Sequence, residues 1–501
     1  MNIGDNLIVE VVSLGMDGEG VAKVNGMVVF IPMAVIGDLA KIKIVHIKKN
    51  LAFAELIKVM RASELRVTPK CEYFGICGGC DLQHINAVAQ SDFKREQVQN
   101  CLHKVGLNNV ECAPVVCGEK FFYRNKLQLP IGEIDGKIVA GFYKKSSHEI
   151  VEINDCLLHG NWAKKIIKVL LEWANGKYGT SKLSAYSDIT GKGLLRHLVV
   201  RFVDNFLCIT LVINGDNLPN SEALISALKQ LFDFNLYISI NKRNTNVIFG
   251  DTIRLIYGQE KTLNIAGVNL PLSPLSFLQV NDEIRDKIYA ETLLKLEGID
   301  VVFDVYSGVG ILSAMLANHI KSSYYPCVYG IEIVEDATRN ANSLMQLNNL
   351  TKSVKNICGD AAAQLPLLTK NILEMYNCIN KGEINNKNNI ICDNLNKNKL
   401  DNLSIQNDIL LSANSNNYVH KIPNIAVVLD PPRKGCDEAV LNAIIQSNSA
   451  ISKIIYISCN PATLARDLTI LAKSYDVEVV IPFDMFPQTK HVECMVLMSR
   501  K

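Results

Sequence analysis

A chain of 501 residues is too long for one ordinary hydrophobic core, so two to four domains are expected. With 48% hydrophobic and 20% charged residues it reads as globular. It has no apolar run near the roughly 20 residues that span a bilayer and no basic-then-apolar start, which excludes a membrane span and a signal peptide and places it in the cytoplasm. The net charge of +2 selects no partner, and in a reducing compartment the 15 cysteines point to metal binding, catalysis or core packing in place of disulfides.

Residues 1–60 read as a small β-barrel. Short β-rich runs at 8–12, 27–31, 39–46 and 52–59 are separated by Gly15-Met-Asp-Gly-Glu-Gly20 and by a turn at Ile36-Gly-Asp38. Lys41, Lys43, Lys48, Lys49, Lys58 and Arg61 make this end basic, a pattern that suits plain solvation and oligonucleotide contact equally well.

Residues 61–275 read as a central α+β domain, with helix-like stretches at 162–174 and 221–232 and strand-like ones at 198–202, 207–213 and 235–241. It contains Cys71, Cys77 and Cys80, three thiols in a glycine-containing loop, one short of a four-coordinate site. Zinc and iron–sulfur clusters both prefer four thiolates. Cys156 is the favoured fourth, with Cys101, Cys112 and Cys117 as competing choices that spacing does not remove.

From residue 276 the rhythm becomes strand–turn–helix. Apolar runs at 301–304, 327–332, 354–360, 425–430 and 454–459 end in Asp304, Glu332, Asp360, Asp430 and Cys459. This is the pattern of an α/β, Rossmann-like, doubly wound parallel sheet, where ligands sit at the carboxyl ends of the strands. Residues 371–422, crowded with Asn, Lys and Ile, read as a flexible surface insertion without a role.

Gly308 and Gly310, just after the first strand, let the backbone approach a ligand at a helix N-terminus. Glu332 is placed to accept both hydroxyls of a ribose, and Asp360 to meet an adenine amino group. No glycine-rich run ends in Gly-Lys-Ser/Thr to hold a triphosphate, so an adenosine carrying no phosphates is expected.

Two motifs at strand ends carry the chemistry, Asp430-Pro-Pro-Arg433 and Ser458-Cys-Asn-Pro461. Amino-methylating enzymes place an aromatic at the fourth position of the first motif to stack on the target base, and Arg433 does not serve that purpose. A lone cysteine after a strand is more often a small core residue. Cys459, however, stands at the ligand end of the sheet. A thiolate is what uracil needs: adding to carbon 6, it makes carbon 5 nucleophilic enough to take a methyl group. A base must then remove the carbon 5 proton, and Glu493 is the best candidate, with His491 behind it.

Phe277-Leu-Gln-Val-Asn281, Asp304-Val-Tyr-Ser-Gly308, Gly330-Ile-Glu332, Asp430-Pro-Pro-Arg433, Ser458-Cys-Asn-Pro461 and His491-Val-Glu493 follow one another in an order that resembles the uracil-5 RNA methyltransferase family over nearly the whole chain. The resemblance implies that Gln279, Tyr306, Glu332 and Asp430 contact S-adenosylmethionine, that Cys459 is the nucleophile and that Glu493 is the base. It likens the barrel to a TRAM domain and favours a [4Fe–4S] cluster on Cys71, Cys77, Cys80 and Cys156, structural or RNA-binding in role. Members with both features generally resemble the large-subunit ribosomal RNA enzymes, so a 23S-type RNA is the favoured substrate and transfer RNA the alternative.

The target base must leave its stack, and Tyr123-Arg-Asn-Lys126 and Arg196-His-Leu-Val-Val-Arg201 are candidate RNA contacts. A monomer is expected. The rivals are an amino- or cytosine-directed methyltransferase and a non-catalytic iron–sulfur RNA-binding protein. The last would have no reason to retain Cys459, Glu493, Gln279 and Asp430.

Overall fold

Alternating apolar residues build the N-terminal barrel from β1 (Asn6–Glu10), β2 (Ser13–Leu14), β3 (Gly20–Val24), β4 (Met27–Ile31), β5 (Leu39–Lys48) and β6 (Leu51–Arg61). In this computed structural model, residues 1–276, 278–322, 324, 326–380, 422–447 and 450–501 are described. Ala40, Ile42 and Ile44 on β5, with Ala52 and Ala54 on β6, point inward at every second position. The strand order is β1-β5-β6-β4-β3-β2. Val11 N–H bonds to Asp38 while Val12 N–H bonds to Val21, so the bent first segment pairs at both edges and closes the sheet.

The central sheet has the order β13-β12-β11-β10-β7-β8-β9. Its strands are β7 (Lys126–Ile134), β8 (Lys137–Tyr143), β9 (Ile150–Glu152), β10 (Leu195–Val203), β11 (Phe206–Ile213), β12 (Asp233–Ile240) and β13 (Thr252–Tyr257). Leu207, Ile209 and Leu211 pack with the helices α2 (Asn161–Ala174) and α3 (Ser221–Lys229). Phe206 and Cys208 face the other way, into the C-terminal core. Burial on both faces explains why β11 is an unbroken apolar run without alternation.

Two segments from the expected central region join the C-terminal core instead. Helix α1 (Ala87–Lys104), capped by Asn86 on the Ala89 N–H, buries Val98, Cys101 and Leu102 there. The hairpin β14 (Lys261–Ile265) and β15 (Val268–Leu272) buries Leu263, Val268 and Leu270 in the same unit.

After α4 (Asp282–Lys295) the C-terminal sheet runs β18-β17-β16-β19-β20-β22-β21. Its parallel strands are β16 (Val301–Val305), β17 (Val328–Glu332), β18 (Val354–Cys358), β19 (Ile425–Leu429) and β20 (Ile451–Ser458). The strands β21 (Tyr475–Phe483) and β22 (Glu493–Arg500) close the edge as an antiparallel pair, and β22 is antiparallel to β20. Helices α5 (Ile311–His319), α6 (Glu335–Leu347), α7 (Ala361–Asn380), α8 (Glu438–Gln446) and α9 (Pro461–Leu471) connect them. The chain is thus an α/β Rossmann-like domain preceded by a small β-barrel and an α+β sheet. Strand order reverses between β16 and β19, which opens a crevice at their carboxyl ends.

The expected insertion at 371–422 begins too early: residues 371–380 are the end of α7, with Ile372 and Tyr376 buried. Residues 381–421 of that insertion, and Phe277 at the head of its motif, lie outside the described residues. Among the described residues no helix is long and apolar enough to cross a membrane.

Candidate active site

At the crevice, the turn after β16 carries Tyr306 at φ 65°, Gly308 at φ 54° and Gly310 at φ 82°, all left-handed. A Cβ on Gly310 would stand 2.9 Å from the Cβ of Ala341, so only glycine lets α5 start this close to α6. Glu332 ends β17 and accepts the N–H of Gly308 at 3.0 Å and of Val334 at 2.9 Å. Its half-buried carboxylate therefore braces the glycine turn as well as facing the crevice. The Tyr306 hydroxyl accepts the Asp437 N–H at 3.3 Å. Asp360 is exposed and caps α7 through the Ala362 N–H at 2.9 Å. Gln279 is held by its backbone, whose carbonyl accepts from Asn125 Nδ2 at 2.9 Å.

Asp430 combines two properties that only a concave site reconciles. Its surface is exposed, yet burial in the surrounding protein pushes its pKa up to about 6. Asp304 lies beneath, holding the Ser313 hydroxyl at 2.5 Å. Burial, opposed by that hydrogen bond and reinforced by the charges of Asp430 and Glu332, carries it to about 7. The charges of Asp430 and Glu332 both reach Asp304, and carboxyls gathered at the crevice suit a cationic ligand.

The neighbouring strands supply the reactive pair. In the antiparallel register of β20 and β22 the last pair is Ser458 with Cys494; Cys459 follows Ser458 and Glu493 precedes Cys494, and the Glu493 charge acts on the Cys459 thiol. Glu493 is 4% exposed; burial, then the charge of Asp430, push its pKa up to about 8, with Arg433 pulling the other way. Burial raises the Cys459 thiol, Glu493 raises it further and Arg433 opposes both. His491 is held neutral by burial and then by Arg433, and its ring lies edge-on to Phe486 at 6.0 Å.

The two motif loops are bolted together. Asn460 caps α9 on the Ala462 N–H at 3.1 Å and donates from Nδ2 to the Arg433 carbonyl at 3.2 Å. Asp467, which sequence reasoning missed, accepts from the Tyr456 hydroxyl at 2.6 Å and the Cys436 N–H at 2.8 Å. Its signal was present: an acidic residue on the same helical stripe as Leu464, Leu468 and Leu471, all buried.

Cys71, Cys77, Cys80 and Cys156 line one pocket together with Tyr73, Arg124 and His159. Cys101 and Cys112 are spent in the C-terminal core and the Cys117 sulfur lies 3.2 Å from the Ser91 hydroxyl, which removes the competing choices. Gln83 donates to the Cys80 sulfur at 3.3 Å and accepts the Cys71 N–H at 3.2 Å. Among the described residues, no three His, Cys, Asp or Glu side chains form a group that could hold a metal ion. This segment also touches the active-site loop: the N–H groups of Asp81 and Leu82 both donate to the Gln488 carbonyl at 3.0 Å.

Several expected RNA contacts are structural instead. Arg196 is buried and donates to the carbonyls of Asn241 at 2.8 Å and Arg243 at 2.7 Å. Arg201 and Asn125 are buried supports of the loop carrying Gln279, and the Tyr123 hydroxyl donates to Pro487 at 3.1 Å. Charged residues flanked by apolar strand positions were drawn inward to satisfy loop carbonyls. Lys41, Lys43, Lys48, Lys49, Lys58 and Arg61 of the barrel are exposed.

The tRNA (Uracil-5-)-methyltransferase family matches residues 357–501, and the TRAM domain matches residues 2–57. An uncharacterized RNA methyltransferase of Bacillus cereus (strain ATCC 10987 / NRS 248) is 36% identical over 97% of this chain and 94% of its own. One from Clostridium tetani is 34% identical over 98% of this chain and 95% of its own. The crystal structure of Pyrococcus abyssi tRNA (uracil-54, C5)-methyltransferase in complex with S-adenosyl-L-homocysteine superimposes with a TM-score of 0.69. It covers 98% of this chain and 100% of its own at 23% identity, a likeness of fold.

Proposed function

The chain belongs to the RNA uracil-5 methyltransferase family, and we propose that it forms 5-methyluridine in RNA of the 23S ribosomal type through a covalent Cys459 adduct. It is an S-adenosylmethionine-dependent RNA methyltransferase. The observation that carries the covalent reading is that Cys459 and Glu493 adjoin the last β20–β22 pair, Ser458 with Cys494, with Glu493 acting on the Cys459 thiol and Asp430 and Arg433 acting electrostatically on both.

The cofactor supplies an electrophilic methyl group, and the exposed Asp430, the glycine turn and Glu332 fit its cationic and adenosyl parts. Gln279, Tyr306, Gly308 and Asp360 complete the proposed contacts. The Cys459 thiolate would form a bond to carbon 6 of the uracil, and the electron pair would move to carbon 5, which bonds to the methyl carbon as the methyl–sulfur bond breaks and its electron pair stays on the departing S-adenosylhomocysteine. The proton on carbon 5 then passes to the Glu493 carboxylate. The carbon 6–sulfur bond breaks and the thiolate returns. Burial lifts Glu493 to about 8, so its ionised form is a stronger base than an ordinary carboxylate and turnover should rise as pH climbs toward about 8.

Cys71, Cys77, Cys80 and Cys156 are read as ligands of a [4Fe–4S] cluster. Four thiols lining one pocket match it in kind and number, though as placed they are not drawn together into a metal-holding group, and no step of methyl transfer runs through it. The barrel together with this pocket supports ribosomal RNA. Transfer RNA is the second reading, favoured by the Pyrococcus abyssi enzyme, a tRNA (uracil-54, C5)-methyltransferase whose match covers 98% of this chain. We place the protein in the cytoplasm, as a monomer, in three units: the barrel at 1–60, a central domain within 61–275 that lends α1 and the β14–β15 hairpin to its neighbour's core, and the methyltransferase domain at 276–501.

The test is transfer of labelled methyl to total RNA lacking the modification, with wild type and Cys459→Ala, followed by digestion to nucleosides. Label in 5-methyluridine of the 23S fraction, lost in the variant, is expected. Label in transfer RNA overturns the substrate, and transfer by the variant overturns the adduct.

A further inference from the structure

Phe122 is 63% exposed and sits at φ 59°, a backbone conformation that bulky L-residues rarely adopt. Neither burial nor local propensity accounts for it, so the conformation must be imposed from outside. The contacts that impose it come from two sides. Phe122 N–H donates to Leu157 at 2.9 Å and Arg124 N–H to Leu158 at 2.8 Å, which pins the segment to the chain beside the cysteine pocket. On the other side, Lys120 donates to Asp484 at 2.9 Å and Tyr123 to Pro487 at 3.1 Å, which pins it to the loop leading into Glu493. The ring is thereby mounted rigidly, facing solvent, next to the loop that carries the base. Phe121 lies alongside, with ring centroids 6.5 Å apart, and the Lys70 ammonium stands 5.2 Å from the Phe121 centroid.

A rigid exposed aromatic flanked by a cation is what a single-stranded nucleic acid uses: a flat face for a base and a charge for the neighbouring phosphate. Flipping the target uridine also breaks its neighbours' stacks, leaving a base face in need of cover. We propose that Phe122 is an RNA-positioning residue whose ring stacks on an unstacked base of the substrate near the active site. The inference rests on RNA being the substrate.

The experiment compares wild type, Phe122→Ala, Phe122→Trp and Phe122→Gly for KM toward RNA, kcat, S-adenosylmethionine affinity and Tm. Phe122→Ala is expected to raise the KM for RNA by at least about 5-fold, the lower end of what one lost aromatic platform costs, with cofactor affinity kept. Phe122→Trp restores the wild-type KM. Phe122→Gly, free of the backbone strain, raises Tm while matching the alanine variant in KM. An unchanged KM in Phe122→Ala, or a rise that tryptophan does not rescue, overturns the proposal. Wild type that methylates no RNA sinks the substrate reading and the proposal with it, an outcome distinct from an active wild type with an indifferent variant.

Discussion

The molecule uses cysteine in two pockets, and their neighbours differ. Cys459 faces a carboxyl, Glu493, and an opposing cation, Arg433, which both act on its thiol. Burial is the largest influence on Cys459 as it is on Cys77, Cys80 and Cys156, pushing Cys80 up to about 12 and Cys156 up to about 11; what differs is the charged neighbours, which around the second pocket are chiefly other cysteines. A nucleophile must gain and lose its proton in every turnover, so it needs a proton acceptor at hand. A ligand thiol loses its proton once, to solvent, when a metal takes the proton's place. The surroundings, more than the residue type, separate the two roles.

The sharpest break between the pockets comes from exchanging single sulfurs. Cys459→Ala should lower methyl transfer by roughly four orders of magnitude or more while leaving iron content unchanged. Cys156→Ser should instead abolish iron and sulfide in the purified protein. Iron retained in Cys156→Ser would remove Cys156 from the ligand set.

Next in size is the base. Glu493→Gln should cut turnover by about 10²–10⁴-fold and trap RNA on Cys459, visible as a protein–RNA band that survives denaturing electrophoresis. Loss of activity without that band would place Glu493 before adduct formation.

A smaller effect tests the electrostatics of the cleft. The folded pKa of Glu493, about 8, lies above its ordinary 4.5, so the stability of the neutral form is fully present below about 4.5 and is lost as pH rises through about 8. Glu493→Gln should therefore match wild type in unfolding free energy near pH 4.5 and exceed it at pH 9 by an amount on the order of a few kcal/mol, read as a higher Tm at pH 9. Equal Tm values at pH 9 would show that the carboxyl is not held above its ordinary range.

The smallest concerns the scaffold. Asp467→Asn leaves donors on Cys436 and Tyr456 poorly matched and should cost about 1–3 kcal/mol, read as a lowered denaturation midpoint. Removing this buried acceptor loosens the loop carrying Arg433, while the cysteine pocket stays intact.

Much of this was written in local pattern. Parallel strands buried on both faces are short apolar runs, and each ends where a ligand can be met, so Glu332, Asp430 and Cys459 were legible from their places after β17, β19 and β20. Four cysteines around one pocket were legible because thiols have few other uses in such a loop. Local pattern does not reveal which element packs on which, because burial is a property of the partner surface. Helix α1 and the β14–β15 hairpin therefore crossed into a core that their position in the chain did not announce. For the same reason Arg196 and Arg201, which read as RNA contacts, turned inward to carbonyls brought near only by folding. The residue types and strand ends of the active site are local properties and were set by the sequence. That Ser458 meets Cys494, which brings Cys459 and Glu493 to the same end of two antiparallel strands, depends on register, and only the tertiary structure decided it.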